Sequence, residues 1–325
     1  MSLLEIKNLS LGIYSEKKKG WSKVLNNVNF SLNQNEFLGV VGESGSGKTI
    51  LANSILKLMP KNSKLFSGSI LFNDKNILKL SENQVREIRG RDISIIFQDP
   101  MSSLHPLLTV KEQITEILLA HGIYKRSKAV EVALNLLKDV KIDQPELVLS
   151  KYPFMLSGGI RQRVMIAIAI SCNPKVVIAD EPTTALDVTV QKDILDLIKA
   201  FKKRLNFSLI LISHDLGVIW ENTDRVVVMY CGRIVESGKT KDVLRNPLHP
   251  YTFGLLSSMP RRINNKLEIV KGIKGSILSL DEFPNDTCPF LPRCDFATKR
   301  CNEPISLEPV DNDRFVACFN KAAFK

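Results

Sequence analysis

The stretch GESGSGKT, residues 42–49, has the residue types and spacing of a phosphate-binding loop. Its glycines let the backbone bend so that successive N–H groups face phosphate oxygens, and a following helix adds the positive end of its dipole. Lys48 supplies a cation for the β- and γ-phosphates, and the Thr49 hydroxyl can ligate Mg²⁺. The predicted nucleotide contacts are Gly42, Glu43, Ser44, Gly45, Ser46, Gly47, Lys48 and Thr49.

A second region with potential chemistry is VVIADE, in which an apolar run precedes Asp180 and Glu181. A buried strand here would place both carboxylates at its carboxyl end, where open α/β sheets bind ligands. Asp180 is predicted to hold Mg²⁺ through water, and Glu181 to orient and polarise an attacking water. Together with the phosphate loop, this pair predicts hydrolysis of a nucleoside triphosphate.

A third motif, LSGGIRQR (156–163), opens a predicted helix with Ser157, Gly158 and Gly159. This is a second phosphate-type helix N-terminus. A chain that holds one nucleotide needs only one such terminus, so the second is expected to face the nucleotide of another molecule. Each motif occurs once, and the chain is therefore predicted to complete its site with a partner.

The elements that position these motifs follow an α/β pattern. Strand-like alternation precedes the run FLGVV (37–41), and the helical pattern TILANSILKLM after the phosphate loop is expected to stop at Pro60. Helical periodicity extends from Pro106 to about Val140. Further strands are predicted at KVVIAD (175–180) and SLILIS (208–213) with a helix between them, followed by a hairpin in RVVVMYCGRIVESG. The basic run KKKG (17–20) is predicted to be a solvated hairpin loop.

Composition sets broader bounds. A length of 325 residues allows one large domain with an appendage, or two domains. The net charge of +11 favours an anionic partner, which nucleotide, nucleic acid and an acidic membrane surface all satisfy. The start lacks the pattern of a secretory signal, and the apolar runs are shorter than the roughly 18 residues that span a bilayer. These features predict a soluble, cytoplasmic protein with reduced thiols.

The three motifs, together with IIFQDP, TALD and LISHDL, resemble the ATP-binding-cassette (ABC) ATPases. The resemblance implies that Gln98 touches Mg²⁺ and water and couples to a transmembrane partner. It implies that Asp187 is the aspartate of the family's D-loop and that His214 contacts the γ-phosphate. Tyr14 is the aromatic that could stack on adenine, with plain packing as the alternative.

The resemblance also implies an architecture. The expected fold is α/β, a P-loop NTPase core of ABC type with an antiparallel β subdomain, a helical subdomain at about 100–172 and a small irregular Cys-rich C-terminal extension. The nucleotide-binding domain would span 1–259 and the extension 260–325. Two subunits would associate head to tail, each phosphate loop facing the partner's Ser157-Gly158-Gly159 turn across ATP and Mg²⁺.

Longer stretches, including QDPMSSLHPLLTV, DEPTTALDVTVQ and NPLHPYTFGLLSSMP, resemble the ATPases of bacterial oligopeptide and dipeptide importers, a group that includes nickel importers. This implies a subunit on the cytoplasmic face of the inner membrane. Its partners would be a second ATPase subunit, which is either a sister ATPase or a second copy of this chain, two permeases and, indirectly, an extracytoplasmic binding protein. Nickel or another small solute is the alternative cargo. A non-transport cassette ATPase acting on nucleic acid or ribosomes is a further alternative, but such proteins usually fuse two cassettes or insert a long coiled coil, and no nucleic-acid partner is expected.

The last part of the chain gathers Cys288, Cys294, Cys301 and Cys318 in the spacing C-x5-C-x6-C-x16-C. Structural zinc sites usually contain C-x2–4-C pairs, which are absent here, whereas widely spaced thiolates can enclose an iron–sulfur cluster. The resemblance adds that peptide-importer ATPases often end in a CPF-x-PRC segment associated with a [4Fe–4S] cluster. An iron–sulfur cluster is therefore predicted, with zinc as the alternative and reduced free thiols as a third possibility.

Overall fold

A computed structural model describes residues 2–184, 186–259, 262–263, 266–267, 272–311 and 313–324. The chain divides into two compact units. Unit 1 comprises Met1–Leu32, Phe37–Leu78 and Ser213–Lys325, and unit 2 comprises Asn33–Glu36 and Lys79–Ile212. The phosphate loop therefore belongs to unit 1, and the strand that ends at Asp180 belongs to unit 2.

Strands and helices alternate along most of the described chain. The strands, in chain order, are β1 (Ser2–Ser15), β2 (Gly20–Asn33), β3 (Phe37–Val41), β4 (Ser63–Phe72), β5 (Lys75–Asn76), β6 (Ile93–Ile96), β7 (Val176–Asp180), β8 (Ser208–Ser213), β9 (Arg225–Tyr230), β10 (Arg233–Lys239), β11 (Arg262–Ile263), β12 (Lys266–Leu267), β13 (Glu308–Asp311) and β14 (Arg314–Val316). The helices are α1 (Lys48–Ile55), α2 (Glu82–Ile88), α3 (Pro100–Ser103), α4 (Val110–Ala120), α5 (Arg126–Asp139), α6 (Pro145–Leu149), α7 (Gly158–Ile170), α8 (Val188–Leu205), α9 (Leu216–Asn222), α10 (Thr240–Arg245) and α11 (Pro250–Ser257).

Unit 1 contains an antiparallel sheet in the order β2-β1-β4-β5. In β1 and β4, Leu4 lies opposite Phe72 and Ile6 opposite Ile70, and all four side chains are buried. Such cross-strand apolar pairs are the main source of sheet stability. The lysines of the run KKKG lie in the turn between β1 and β2, so the predicted hairpin loop is confirmed.

A second set of strands in unit 1 positions the phosphate loop. The strand β3 is buried along its whole length and pairs in parallel with β9, with Val40 opposite Val227. The strands β9 and β10 form the predicted antiparallel hairpin, and β14 and then β13 extend it at the β10 edge. The phosphate loop begins directly after β3, as the sequence predicts.

The helix α1 is shorter than predicted, because it ends at Ile55 rather than continuing to Pro60. Lys57 adopts a left-handed conformation with φ of 54°. Its N–H donates to the Ser54 carbonyl at 3.0 Å, and the Leu58 N–H donates to the Asn53 carbonyl at 2.8 Å. These two bonds form a Schellman motif, which closes a helix by satisfying its last carbonyls. A proline is therefore not needed to stop it.

Unit 2 is built on three parallel strands in the order β8-β7-β6. Ile178 on β7 lies opposite Ile95 on one side and Ile210 on the other. Every residue of β7 and β8 is buried, which is typical of parallel strands covered on both faces. The predicted helical region after Pro106 consists of α4 and α5, and α4 begins with a capping box between Thr109 and Glu112.

The C-terminal tail, defined as residues 272–324, contains short 3₁₀ turns and the β13–β14 hairpin. Arg314 on β14 forms an ion pair of 2.8 Å with Glu236 on β10, and the Glu236 side chain has no exposed surface. Glu236 also accepts backbone hydrogen bonds from Leu248 and His249 at 2.9 and 3.0 Å. One buried carboxylate thus joins the tail hairpin, β10 and the start of α11.

Within the part of the chain that the structure describes, no helix is both long enough and apolar enough to cross a membrane.

Candidate functional site

The phosphate loop adopts the conformation that its glycines allow. Gly47 caps α1 in a left-handed conformation with φ of 101°, which glycine tolerates without steric cost. Lys48 is buried, and its Nζ donates to the carbonyl oxygens of Gly42 and Glu43 at 2.8 and 2.9 Å and lies 3.5 Å from Ser46 Oγ. The lysine ammonium is thus held inside the loop, where it can turn toward an arriving phosphate. Thr49 is exposed in the first turn of α1.

Glu181 follows β7 in a left-handed backbone conformation, with φ of 46°. Non-glycine residues rarely adopt this conformation, and it is concentrated at functional sites. The Glu181 Oε2 atom accepts hydrogen bonds from Thr184 Oγ1 at 2.9 Å and from Gln98 Nε2 at 3.2 Å. The structure therefore brings two sequence-predicted residues, Gln98 and Glu181, into direct contact. Asp180, which directly precedes Glu181, is the last residue of β7 and is buried.

The SGG motif forms an exposed helix N-terminus. Ser157 caps α7, and its Oγ accepts a hydrogen bond from the Ile160 N–H at 3.4 Å. A Cβ atom added to Gly158 would meet nothing within 4 Å, so this turn is open to an approaching molecule. Asp187 is exposed and caps α8, accepting from the Val190 N–H at 2.9 Å.

Two further predicted residues of unit 1 lie at its surface. Tyr14 packs edge-on against Trp21, with ring centroids 5.5 Å apart, and both rings are about two-fifths exposed. An exposed aromatic pair can offer a face to an adenine ring. His214 follows β8 and is exposed.

The four tail cysteines share one small pocket in unit 1, together with His249 and Phe319. Burial, together with the smaller effect of the neighbouring cysteines, raises the pKa of Cys288 to about 11 and that of Cys318 to about 12. In the described part of the chain, however, no group of three or more His, Cys, Asp or Glu residues is arranged to hold a metal ion.

Three residues that the motif analysis did not single out contact the site residues. Thr184 holds the Glu181 carboxylate, as described above. Tyr251 on α11 accepts a hydrogen bond from the Glu43 N–H at 2.8 Å, and Arg293 of the tail pairs with the Glu43 carboxylate at 2.6 Å. All three lie inside stretches that stood out in the sequence, namely DEPTTALD, NPLHPYT and CPFLPRC. Their contacts could not be assigned from sequence spacing.

Comparison with known proteins shows the family to which the chain belongs. A family model described as ABC transporter matches residues 25–184, and one described as the C-terminal region of oligopeptide/dipeptide transporters matches residues 235–301. The oligopeptide transport ATP-binding protein AppD of Bacillus subtilis is 46% identical over 321 residues, which cover 98% of this chain and 96% of that protein. The chain belongs to the ABC transporter family of ATP-binding proteins.

Other relatives of this ABC ATPase agree. The oligopeptide transport ATP-binding protein OppD of Salmonella typhimurium is 43% identical over 317 residues, which cover 98% of this chain and 93% of that protein. The dimeric post-hydrolysis structure of the ATP-binding cassette MJ0796 bound to ADP and Pi matches 73% of this chain and 98% of its own, with a TM-score of 0.65 and 28% identity. The chain therefore has the ABC cassette fold and is an ATPase, as the sequence predicts.

Proposed function

We propose that this chain is the ATP-hydrolysing subunit of an importer for oligopeptides or dipeptides. The observation that carries the proposal is the pair of consecutive family matches, in which the cassette is followed by the C-terminal region of oligopeptide/dipeptide transporters. The relatives named for oligopeptide transport cover nearly the whole chain and support the same cargo class. The domain division that accompanies this proposal is a nucleotide-binding domain at 1–259 and an extension at 260–325.

The residues divide the work between binding and hydrolysis. Residues 42–49 receive the phosphates of ATP, with Lys48 as the cation, and Tyr14 stacks on adenine. Thr49, Gln98 and Asp180 offer oxygen atoms, the ligand type that Mg²⁺ prefers. The metal, when bound, neutralises charge on the phosphate oxygens.

Hydrolysis depends on a base and a sensor. Glu181 accepts the proton of the attacking water, and the hydrogen bonds from Thr184 and Gln98 fix its carboxylate in place. His214 contacts the γ-phosphate. Because the SGG turn is exposed and open above Gly158, it is suited to contact the ATP of a second ATPase subunit, as is Asp187.

Unit 2 also carries a surface suited to a membrane partner. A groove lined by residues of α4, α7 and the segment that joins α3 to α4, among them Leu104, Leu108 and Met165, lies next to β6. Leu107 and Phe154 on the same unit are 76% and 57% exposed. Exposed apolar patches on soluble proteins mark interaction sites. We assign this surface to one of two permease subunits, which would place the chain on the cytoplasmic face of the membrane.

For the tail cysteines we propose a [4Fe–4S] cluster, with zinc as the alternative. Structural zinc sites usually contain C-x2–4-C pairs, which the tail sequence lacks. A cubane cluster is larger and takes one thiolate at each corner, which agrees with four cysteines around one pocket. His249 lines the same pocket, and its buried Nε2 has no hydrogen-bond partner among the described residues. Cys288, Cys294, Cys301 and Cys318 would hold the cluster, which would cross-link the tail.

Transport assays test the cargo. The chain would be reconstituted with its sister ATPase and two permeases in liposomes, and uptake of a labelled pentapeptide and of Ni²⁺ would be compared with and without ATP. ATP-dependent uptake of the peptide alone is the expected result. Uptake of Ni²⁺ alone would overturn the peptide assignment while leaving the ATPase intact. Iron and acid-labile sulfide, assayed on anaerobically purified protein, test the cluster, and zinc without sulfide would refute it.

A further inference from the structure

The phosphate loop of unit 1 is bound directly to the C-terminal tail. Glu43, the second residue of the loop, forms a two-pronged ion pair with Arg293, which lies 250 residues further along the chain. Arg293 Nη1 donates to Glu43 Oε2 at 2.6 Å and Nη2 donates to Oε1 at 3.0 Å. The Arg293 side chain is only 6% exposed and the Glu43 side chain 28%. Partly buried, bidentate pairs of this kind are the strong ones.

Arg293 has further contacts that fix its orientation. Its Nε donates to the Lys274 carbonyl at 2.7 Å, its Nη2 to the Gly275 carbonyl at 3.2 Å, and its Nη1 to the Tyr230 hydroxyl at 3.1 Å. Burial alone would lower the pKa of Arg293, but the hydrogen bonds with Glu43 and Tyr230 outweigh it and raise the pKa above its ordinary value. The guanidinium is therefore a permanently charged and rigidly held partner for the loop.

The backbone of Glu43 is also held by a residue from the C-terminal part of the chain. Its N–H donates to the hydroxyl of Tyr251, which is fully buried. Tyr251 packs against Tyr230 and Phe290, with ring centroids 4.5 and 5.3 Å apart. Phe290 lies between Cys288 and Cys294 in the tail sequence. Both the backbone and the carboxylate of Glu43 thus depend on residues far from the loop.

This arrangement matters because Glu43 is a negative charge on a loop that receives a polyanion. The Glu43 carbonyl also accepts from Lys48 Nζ at 2.9 Å, so a shift of Glu43 would move an anchor of the phosphate-binding lysine. An unpaired carboxylate would repel the phosphates, and the repulsion would be strong where solvent is partly excluded. Arg293 neutralises that charge and fixes its position.

We propose that Arg293 is a positioning residue for ATP binding, which neutralises and orients Glu43 and so makes the affinity of the phosphate loop depend on the C-terminal tail. The inference rests on the nucleotide site of the proposed function. Arg293 acts through Glu43 and is not assigned a contact with ATP. The tail then has a role in the ATPase cycle beyond packing.

Equilibrium binding of a non-hydrolysable ATP analogue with Mg²⁺ to the full chain tests this proposal. Arg293→Ala is expected to raise the Kd about tenfold, and Arg293→Lys, which keeps the charge but loses the two-pronged geometry, about threefold. Adding Glu43→Gln to Arg293→Ala should restore the Kd to within about threefold of wild type, because the unpaired charge is then removed. A merely structural role for Arg293 would not give this rescue.

Matched controls separate the possible failures. Lys274→Ala removes an exposed ion pair with Asp295 in the same tail and should leave the Kd unchanged. If Arg293→Ala unfolds, Arg293→Lys decides, because the proposal expects a folded Arg293→Lys variant to raise the Kd about threefold. A wild-type Kd in a folded Arg293→Ala or Arg293→Lys variant, or absence of rescue in the double variant, would overturn the inference. If Lys48→Ala also left the Kd unchanged, the assignment of residues 42–49 as the nucleotide site would itself be wrong.

Discussion

The phosphate loop of unit 1 and the Glu181 region of unit 2 both follow a buried strand, yet they are held in different ways. Glu43 of the loop is held by Tyr251 and Arg293, which are more than 200 residues away in the chain. Glu181 is held by Thr184, three residues along, and by Gln98 of the same unit. The loop therefore depends on contacts from more than 200 residues away, whereas the carboxylate depends on one contact three residues along the chain and one 83 residues away in its own unit.

This difference has a functional consequence. Substitutions in the tail should change how tightly ATP binds, because they reach the loop. Substitutions in the turn after β7 should change how fast bound ATP is hydrolysed, because they reach Glu181. Binding and turnover can therefore be perturbed separately in this ABC ATPase.

Glu181→Gln gives the sharpest separation. Removing the base should lower the rate of ATP hydrolysis about 10³-fold, since general-base catalysis contributes roughly 10² to 10⁴. The Kd for ATP should stay within about twofold of wild type, as the phosphate loop is untouched. Phosphate release and nucleotide titration on one sample would measure both, with the exposed Glu146→Gln as control. Retained hydrolysis would remove Glu181 from the catalytic role.

Arg314→Ala tests whether the tail is anchored through its own buried ion pair. Leaving Glu236 unpaired should cost about 3–5 kcal/mol of stability, and it should lower the melting temperature of the protein. Lys239→Ala breaks an exposed pair with Asp313 on the same hairpin and should cost at most about 1 kcal/mol. Equal melting temperatures for the two variants would show that the buried pair does not hold the tail.

Lys48→Ala acts on the loop without touching the tail. Loss of the ammonium should raise the Kd for ATP about 100-fold, equivalent to about 2.7 kcal/mol. The exposed Lys61→Ala is the matched control and should bind ATP normally. Unchanged affinity in Lys48→Ala would count against the phosphate-loop assignment.

Thr184→Val is expected to have the smallest effect, and it probes the local support of Glu181. The valine keeps the shape but removes a hydrogen bond, worth about 1 kcal/mol, so the rate of hydrolysis should fall about fivefold. Thr189→Val, on the exposed surface of α8, provides the control. A wild-type rate in Thr184→Val would mean that Gln98 alone suffices to orient the carboxylate.

Features that depend on neighbouring residues could be predicted from the sequence, and features that depend on distant residues could not. The strands β3 and β8 and the end of β7 at Asp180 match the sequence prediction, because short apolar runs next to chemical motifs are local signals. The end of α1 differs from the sequence prediction because it depends on a left-handed conformation at Lys57, which a lysine rarely adopts. The pairing of Glu43 with Arg293 could not be predicted, because the two residues are 250 positions apart and neither sequence segment indicates the other as its partner.

The most direct test of this account is a side-by-side measurement of ATP affinity and turnover at saturating ATP in Arg293→Ala and Thr184→Val. We expect Arg293→Ala to raise the Kd about tenfold while turnover stays near wild type, and Thr184→Val to lower turnover about fivefold while the Kd stays unchanged. The opposite pattern, or both parameters changing together in both variants, would contradict the separation of long-range support for binding from local support for hydrolysis.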